Sequence, residues 1–136
     1  MAIRVFVYGT LKPGGYYWPR FCEGKVTAHE PAQLRGRIYD LKPGYPGMTA
    51  GEDWVQGVLL TLKNETALAG LDYLEGYAPN RPAAQNEYLR VEAECFRPDG
   101  ASLGMVWTYQ MREAKVREFG GIYLPEGVWN GPLKRG

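Results

Sequence analysis

A short apolar stretch that runs straight into a glycine-containing turn constrains this fold more than any other feature. Residues 3–8 have the sequence Ile-Arg-Val-Phe-Val-Tyr, and β-branched and aromatic residues at alternate positions favour a well-packed strand. Gly9 follows; with no Cβ it can take a positive φ and lets a ligand approach its amide closely. The junction predicts a strand end at which the N–H groups of Thr10 and Leu11 face an anion or a carbonyl oxygen. The alternative is an ordinary loop after an edge strand.

Two kinds of nucleotide-binding loop do not fit this turn. Gly9 and Gly14 have the spacing of a phosphate-binding loop, but Gly15 and Tyr16 stand where a lysine and a hydroxyl residue are needed. A dinucleotide-binding turn must open a helix, and the sequence Pro-Gly-Gly-Tyr-Tyr-Trp-Pro at residues 13–19 is a poor helix start. The sequence of this turn therefore fits neither a phosphate-binding loop nor a dinucleotide-binding turn.

The length and composition predict one domain with a single core. The chain has 136 residues, of which 45% are hydrophobic, and 18 glycines and 10 prolines favour short strands joined by tight turns. We expect residues 1–136 to form that domain, with a loop-rich C-terminal tail from about residue 112.

Charge and cysteine content limit the classes of partner. Sixteen basic and 15 acidic residues leave a net charge of +1, which does not suit binding to nucleic acid or to an anionic membrane. A small molecule or a protein is the expected partner. Cys22, Cys95 and His29 form neither a zinc site nor a thiol nucleophile with its base. We expect no metal or cofactor, no membrane span and no signal peptide, and reduced thiols in a cytoplasmic protein.

Periodicity and turn residues give a coarse secondary structure. Residues 16–33 lack a sustained pattern and are expected to be irregular, with one short helical turn. The remaining prediction comprises strands at 34–41, 55–62, 88–96 and 104–109, a rigid turn at 42–47, one main helix between Asn64 and Gly76, a loop at 78–87 and one short helix after 112.

The main helix carries a carboxylate in an unfavourable place. Asn64 is a good N-cap and Gly76 a good C-terminal breaker. Glu75 lies four residues after Leu71 and so shares the face of the apolar stripe, which is formed by Ala67, Leu68, Leu71 and Leu74. Both a helix C-terminus and a core-facing position disfavour a negative charge. Asp72 is expected at the helix surface or behind the site.

Three motifs in this order resemble the gamma-glutamylcyclotransferase-like family. They are Tyr8-Gly9-Thr10-Leu11, the segment Leu-Asp-Tyr-Leu-Glu-Gly-Tyr at 71–77, and Tyr88-x-Arg90. The stretch around Tyr8 is most similar to the gamma-glutamylamine cyclotransferase branch and small bacterial proteins like it. The resemblance, over roughly residues 3–110, implies an α+β fold with a small mixed five- or six-stranded barrel and one main helix.

The same resemblance implies an intramolecular reaction that needs no metal or cofactor. The α-amine of a γ-glutamyl group attacks its own γ-carbonyl and releases 5-oxoproline and an amine. Glu75 matches the acidic residue of the family and would act as general acid and base, with a pKa raised by burial. The glutamyl group would be held by Tyr8, Gly9, Thr10 and Leu11.

Other residues have two interpretations. Tyr88 and Tyr109 are candidates to line the substrate pocket, although strand tyrosines commonly serve packing. Arg90 is expected to pair with a carboxylate near the pocket. The alternative to an enzyme is a non-catalytic binding module that recognises a small ligand or a protein through exposed aromatic side chains, namely Tyr16, Tyr17, Trp18 and Trp129. The leaving amine and the oligomeric state are left open by the sequence.

Overall fold

The structure is a computed structural model in which residues 2–135 are described. These residues form six β-strands, three α-helices and one 3₁₀ turn at Ala83–Gln85. The strands are β1 (Ile3–Val7), β2 (Val26–Asp40), β3 (Pro46–Leu62), β4 (Leu89–Phe96), β5 (Ser102–Gln110) and β6 (Ile122–Tyr123), and the helices are α1 (Trp18–Phe21), α2 (Glu65–Leu74) and α3 (Glu113–Glu118).

The strands close into a small mixed barrel. Their order is β3-β1-β5-β4-β2-β6, and a further pairing of β2 with β3 closes the ring. β1 and β5 run parallel, whereas the other paired strands are antiparallel. The pairing between β2 and β4 is the shortest in the ring, since it consists of Gln33 opposite Phe96. The predicted α+β barrel with one main helix is confirmed.

β1 lies in the middle of the sheet and is buried on both faces. It pairs with β3 on one side and with β5 on the other, so it is not an edge strand. Phe6 and Tyr8 point into a cluster with residues of the other long strands, which is the barrel interior. Val5 and Val7 point into a second cluster that α2 covers. The loop after β1 therefore begins on a fixed support.

Two strands begin earlier than predicted. Residues 26–33 are not irregular but belong to β2, which pairs with β3 from Val26 onwards. Pro31 is an unusual residue within a strand, because proline cannot donate to a ladder. It is tolerated because this half of β2 bonds to β3 and meets β4 only at Gln33. β3 likewise begins at Pro46 rather than at residue 55. Its early part is supported by pairing with β2 at residues 46–49 and again at Asp53, with an irregularity between them.

The helix and hairpin predictions are confirmed. The Asn64 side chain accepts a hydrogen bond from the Ala67 N–H at 3.0 Å and caps α2. α2 buries Ala67 and Leu71 against the barrel, and Gly76 beyond its end has a φ of +66°. β4 and β5 form the predicted hairpin around the turn at 98–100.

The C-terminal segment corrects one prediction of exposure. Trp129 is only 8% exposed, because its indole packs on the barrel interior and donates to the buried Asp40 Oδ1 at 2.8 Å. It is therefore not part of an exposed aromatic surface, whereas Tyr16 is 81% exposed. Cys22 and Cys95 are buried free thiols. No helix within residues 2–135 is both long and apolar enough to span a bilayer.

Candidate active site

A cavity of about 130 Å³ opens where β1 ends beside the C-terminus of α2. An engineered cavity of ~150 Å³ in another protein takes up benzene, so this space suits a group of a few heavy atoms. All seven site residues predicted from the sequence line it, namely Tyr8, Gly9, Thr10, Leu11, Glu75, Tyr88 and Tyr109. The loop after β1, the end of α2, the start of β4 and the end of β5 thus meet at one place.

The loop after β1 lines this cavity and contains unused main-chain donors. The Lys12 N–H donates to the Gly9 carbonyl at 3.1 Å and the Tyr17 N–H donates to the Thr10 carbonyl at 2.9 Å, so the loop is held by its carbonyls. Within residues 2–135, the N–H groups of Gly9, Thr10 and Leu11 donate to no protein acceptor. Successive free N–H groups in a turn form a concave site for an anionic oxygen.

Gly9 is required for a reason other than the expected positive φ. Its φ is not positive. Instead, a Cβ at this position would lie 2.5 Å from Pro46 Cγ and 2.8 Å from Pro46 Cδ, closer than side-chain atoms can pack. Pro46 itself is buried and lines the cavity. Glycine is needed here because β3 passes directly over the loop.

Glu75 is the C-cap residue of α2 and faces the cavity. Its own N–H donates to the Leu71 carbonyl at 2.9 Å, which fixes the backbone. Burial, as the largest cause, and the neighbouring charges of Glu87 and Asp72 together raise the pKa of Glu75 to about 8. The side chain remains partly exposed because the cavity lies against it. A carboxyl group of this pKa both accepts and releases protons near neutral pH.

Glu87 is a second carboxylate in the cavity that the sequence analysis missed. Tyr45 also lines the cavity, and its hydroxyl donates to Glu87 Oε1 at 3.2 Å. Burial raises the pKa of Glu87, while Tyr45 and Lys115 act in the opposite direction. The only signal in the sequence was position, because Glu87 directly precedes Tyr88 of the third motif. Its direction into the cavity is set by the fold of the loop at 78–87.

The three buried tyrosines form the wall of the cavity and use their hydroxyls within the protein. Tyr8 donates to the Tyr109 carbonyl at 2.7 Å, Tyr88 donates to the Pro46 carbonyl, and Tyr109 donates to Asp72 Oδ1 at 2.6 Å. Burial is the main cause that raises the pKa of each of these hydroxyls above its ordinary value. They are therefore neutral donors that fix the shape of the site.

Comparison with known proteins assigns the chain to a family. Residues 5–131 match the family model described as "Gamma-glutamyl cyclotransferase, AIG2-like". The chain belongs to this family. A relative from Niallia circulans, named gamma-L-glutamyl-butirosin B gamma-glutamyl cyclotransferase, is 32% identical over 107 residues, which are 78% of this chain and 65% of that protein. The match thus spans slightly less than two thirds of the length of that relative.

Solved structures of other proteins show the same fold. A solution structure of an Arabidopsis thaliana protein has a TM-score of 0.66 and 26% identity, and the match covers 95% of this chain and 77% of that one. A crystal structure of an AIG2-like protein from Mus musculus has a TM-score of 0.65 and 19% identity, and 99% of each chain is covered. The gamma-glutamyl cyclotransferase-like barrel is therefore the fold of this chain.

In this family member, Asp72 and Arg90 lie behind the cavity wall. Asp72 Oδ2 is 3.5 Å from the Arg90 guanidinium, as expected of a carboxylate partner for Arg90. Arg90 also lies over the Trp107 ring, 4.5 Å from its centroid. Asp72 therefore joins α2 to β4 and β5 through one ion pair and the Tyr109 hydroxyl.

Asp72→Asn is expected to destabilise the fold by about 1–3 kcal/mol, because it weakens a partly buried ion pair and a charged hydrogen bond. Urea denaturation of the variant measures this loss. Glu118→Gln is the control, since Glu118 is paired with Lys115 at 3.7 Å but its side chain is 66% exposed. An exposed pair contributes only ~0–1 kcal/mol. Equal losses for the two variants would show that the Asp72 connection is unimportant for stability.

No group of three or more histidine, cysteine, aspartate or glutamate side chains in residues 2–135 is arranged to hold a metal ion. The expectation that the chain works without a metal remains a prediction, and chelation tests it below.

Proposed function

We propose that this chain is a gamma-glutamyl cyclotransferase that converts a small γ-glutamyl amide into 5-oxoproline and a free amine. The observation that carries the proposal is the placement of Glu75, with a pKa raised to about 8, in the same small cavity as the unused N–H groups of the loop at 9–11. Family membership supports the same reaction class.

Binding of the glutamyl group relies on main-chain donors in this proposal. No lysine, arginine or histidine is among the described residues that line the cavity. The anionic oxygens of the substrate therefore need the N–H groups of Gly9, Thr10 and Leu11. Such fixed donors stabilise both a carboxylate and the oxyanion that develops when the γ-carbonyl is attacked.

Glu75 moves the protons in the proposed reaction. It takes a proton from the α-ammonium, and the freed amine attacks the γ-carbonyl carbon to form the ring C–N bond. Glu75 gives this proton to the leaving nitrogen, whose bond to that carbon then breaks. Glu75 next takes the second proton from the ring nitrogen and passes it to the released amine, which leaves as an ammonium ion. Because nucleophile and electrophile belong to one molecule, ring closure is favoured by proximity. One carboxyl group serves both transfers, because its pKa is close to that of an α-amino group.

Incubation with a panel of γ-glutamyl amides tests the proposal. We expect 5-oxoproline and the free amine in equal amounts for at least one member, measured by mass spectrometry. The panel should include γ-glutamyl dipeptides and γ-glutamyl alkylamines, which differ in the leaving group alone. Binding of panel members without any release of 5-oxoproline would contradict the proposal and favour a non-catalytic binding module.

Turnover is expected to be independent of metal ions. Exhaustive dialysis against a chelator should leave kcat/KM within about twofold of the untreated protein, because the proposed steps use one carboxyl group and main-chain donors. A buffer-dialysed sample is the control. Loss of activity that one particular ion restores would show that a metal takes part.

A further inference from the structure

The cavity has a buried inner part and a more exposed mouth, and Glu87 lies at the mouth. Tyr8, Leu11 and Tyr88 of the lining are 3–6% exposed, whereas Tyr17, Tyr45 and Glu87 are partly exposed. A glutamyl group that reaches the loop N–H groups fills the inner part. Its leaving amine must then point towards the mouth, because the cavity has room for little more than the glutamyl group.

The mouth combines a carboxylate with aromatic rings. Glu87 accepts a hydrogen bond from the Tyr45 hydroxyl at 3.2 Å, and Tyr17 lies near enough to Tyr45 to influence its pKa, which is raised to about 12 mainly by burial. The pairing of a carboxylate with tyrosine rings is the chemistry that recognises an ammonium group, since both the charge and the ring faces attract a cation. The same surroundings repel a carboxylate.

We propose that the mouth binds a second positive charge on the leaving amine, so that the preferred substrates are γ-glutamyl amides of diamines or polyamines. This inference rests on the proposed function. Glu87 is then the residue that determines specificity for the leaving group.

Glu87 is held in place before any ligand arrives. Its N–H donates to the Gly76 carbonyl at 3.1 Å, which ties it to the end of α2. The buried Asn86 accepts from the Ala78 N–H at 2.9 Å and from Arg81 Nε at 3.1 Å, and so closes the loop. A fixed charge loses little conformational entropy on binding. Glu87 is therefore suited to discriminate between ligands, because its position does not adjust to each of them.

The nearby positive charges leave Glu87 available to a ligand. Lys115 acts on Glu87 from α3, but its ammonium is paired with Glu118 at 3.7 Å. Arg81 is bonded to Asn86 and to the Gly76 carbonyl. Arg90 is paired with Asp72. Glu87 is therefore the carboxylate at the mouth that is left to attract a cation.

Three substrates with the same butyl chain test the inference. They are γ-glutamyl-butylamine and its analogues with a terminal ammonium or a terminal carboxylate on the butyl chain. We expect kcat/KM for the ammonium substrate to be at least about tenfold higher than for the butylamine substrate, because one partly buried charge pair has an effect of this size. The carboxylate substrate should have the lowest kcat/KM. No turnover of any of the three would contradict the proposed function. Equal turnover of all three would contradict the inference alone.

The variant Glu87→Gln assigns the preference to one residue. It keeps the volume and should reduce the ratio of ammonium to butylamine kcat/KM by about tenfold. The ratio is the readout because loss of the Glu87 charge also lowers the pKa of Glu75, which affects every substrate alike. Glu92→Gln, on the exposed face of β4, removes the same charge from the chain and should leave the ratio unchanged. An unchanged ratio in Glu87→Gln, or an equal fall in Glu92→Gln, would overturn the inference.

Discussion

Glu75→Gln is expected to lower kcat by at least about 10²-fold while the affinity for a γ-glutamyl ligand changes much less. Glutamine keeps the volume and part of the hydrogen bonding of Glu75 but cannot carry a proton between the attacking and leaving nitrogens. Steady-state kinetics of 5-oxoproline release, together with ligand titration, separate the two effects. Glu65→Gln is the matched control, because Glu65 is exposed in the first turn of the same helix. A folded Glu75→Gln protein with the parent kcat would remove Glu75 from the mechanism, and Asp72 would be the next candidate.

The same variant is expected to be more stable than the parent at alkaline pH. The pKa of Glu75 rises from an ordinary 4.5 to about 8 on folding, so the native state holds a proton that the unfolded chain has lost. Parental stability therefore falls as the pH rises from 4.5 towards 8. Glutamine does not titrate and escapes this loss, which we place at about 2 kcal/mol because the cavity admits water.

Thermal melts of both proteins between pH 4.5 and 8.5 measure this difference. The Tm of Glu75→Gln should be close to that of the parent at the acidic end, where Glu75 is protonated, and should exceed it increasingly up to about pH 8. A Tm difference that does not change with pH would show that the pKa of Glu75 is not raised. The outcome would then also weaken its assignment as general base.

Gly9→Ala is expected to cost about 1–3 kcal/mol of stability and to reduce ligand binding sharply. The added methyl group would lie 2.5 Å from Pro46 Cγ, so either the loop or the start of β3 must move. Both line the cavity, and a shift of about 1 Å in a site of this kind can cost about 10²-fold in activity. Urea denaturation and titration with a γ-glutamyl ligand measure the two losses.

Gly70→Ala is the control for this substitution. A Cβ at Gly70 would meet only Phe21 at 3.9 Å, an ordinary contact, and the position lies within α2, where alanine is favoured over glycine by up to about 1 kcal/mol. Gly70→Ala should therefore be neutral or stabilising. A Gly9→Ala protein with the stability and affinity of the parent would mean that the contact with Pro46 relaxes freely and that the loop is less constrained than its packing indicates.

Local patterns in the sequence were sufficient for the elements whose signals lie within a few residues. The cap at Asn64 and the apolar stripe predict α2, and the turn at 98–100 predicts the β4–β5 hairpin; both are present. Residues 26–33 and 46–53 carry no such local signal. Their strand conformation depends instead on the pairing between β2 and β3. Pairing partners distant in the chain override weak local preferences.

The sequence by itself determined that a strand, a glycine turn and a carboxylate at a helix end occur in this order, and the family resemblance related them to one site. Only the tertiary structure decided what surrounds that carboxylate. The pKa of Glu75 depends on burial and on Glu87, which reaches the cavity through a loop tied to Gly76. The need for glycine at residue 9 likewise depends on the passage of Pro46 over the loop. Such effects arise from distances between residues far apart in the chain, and a local pattern contains no information about them.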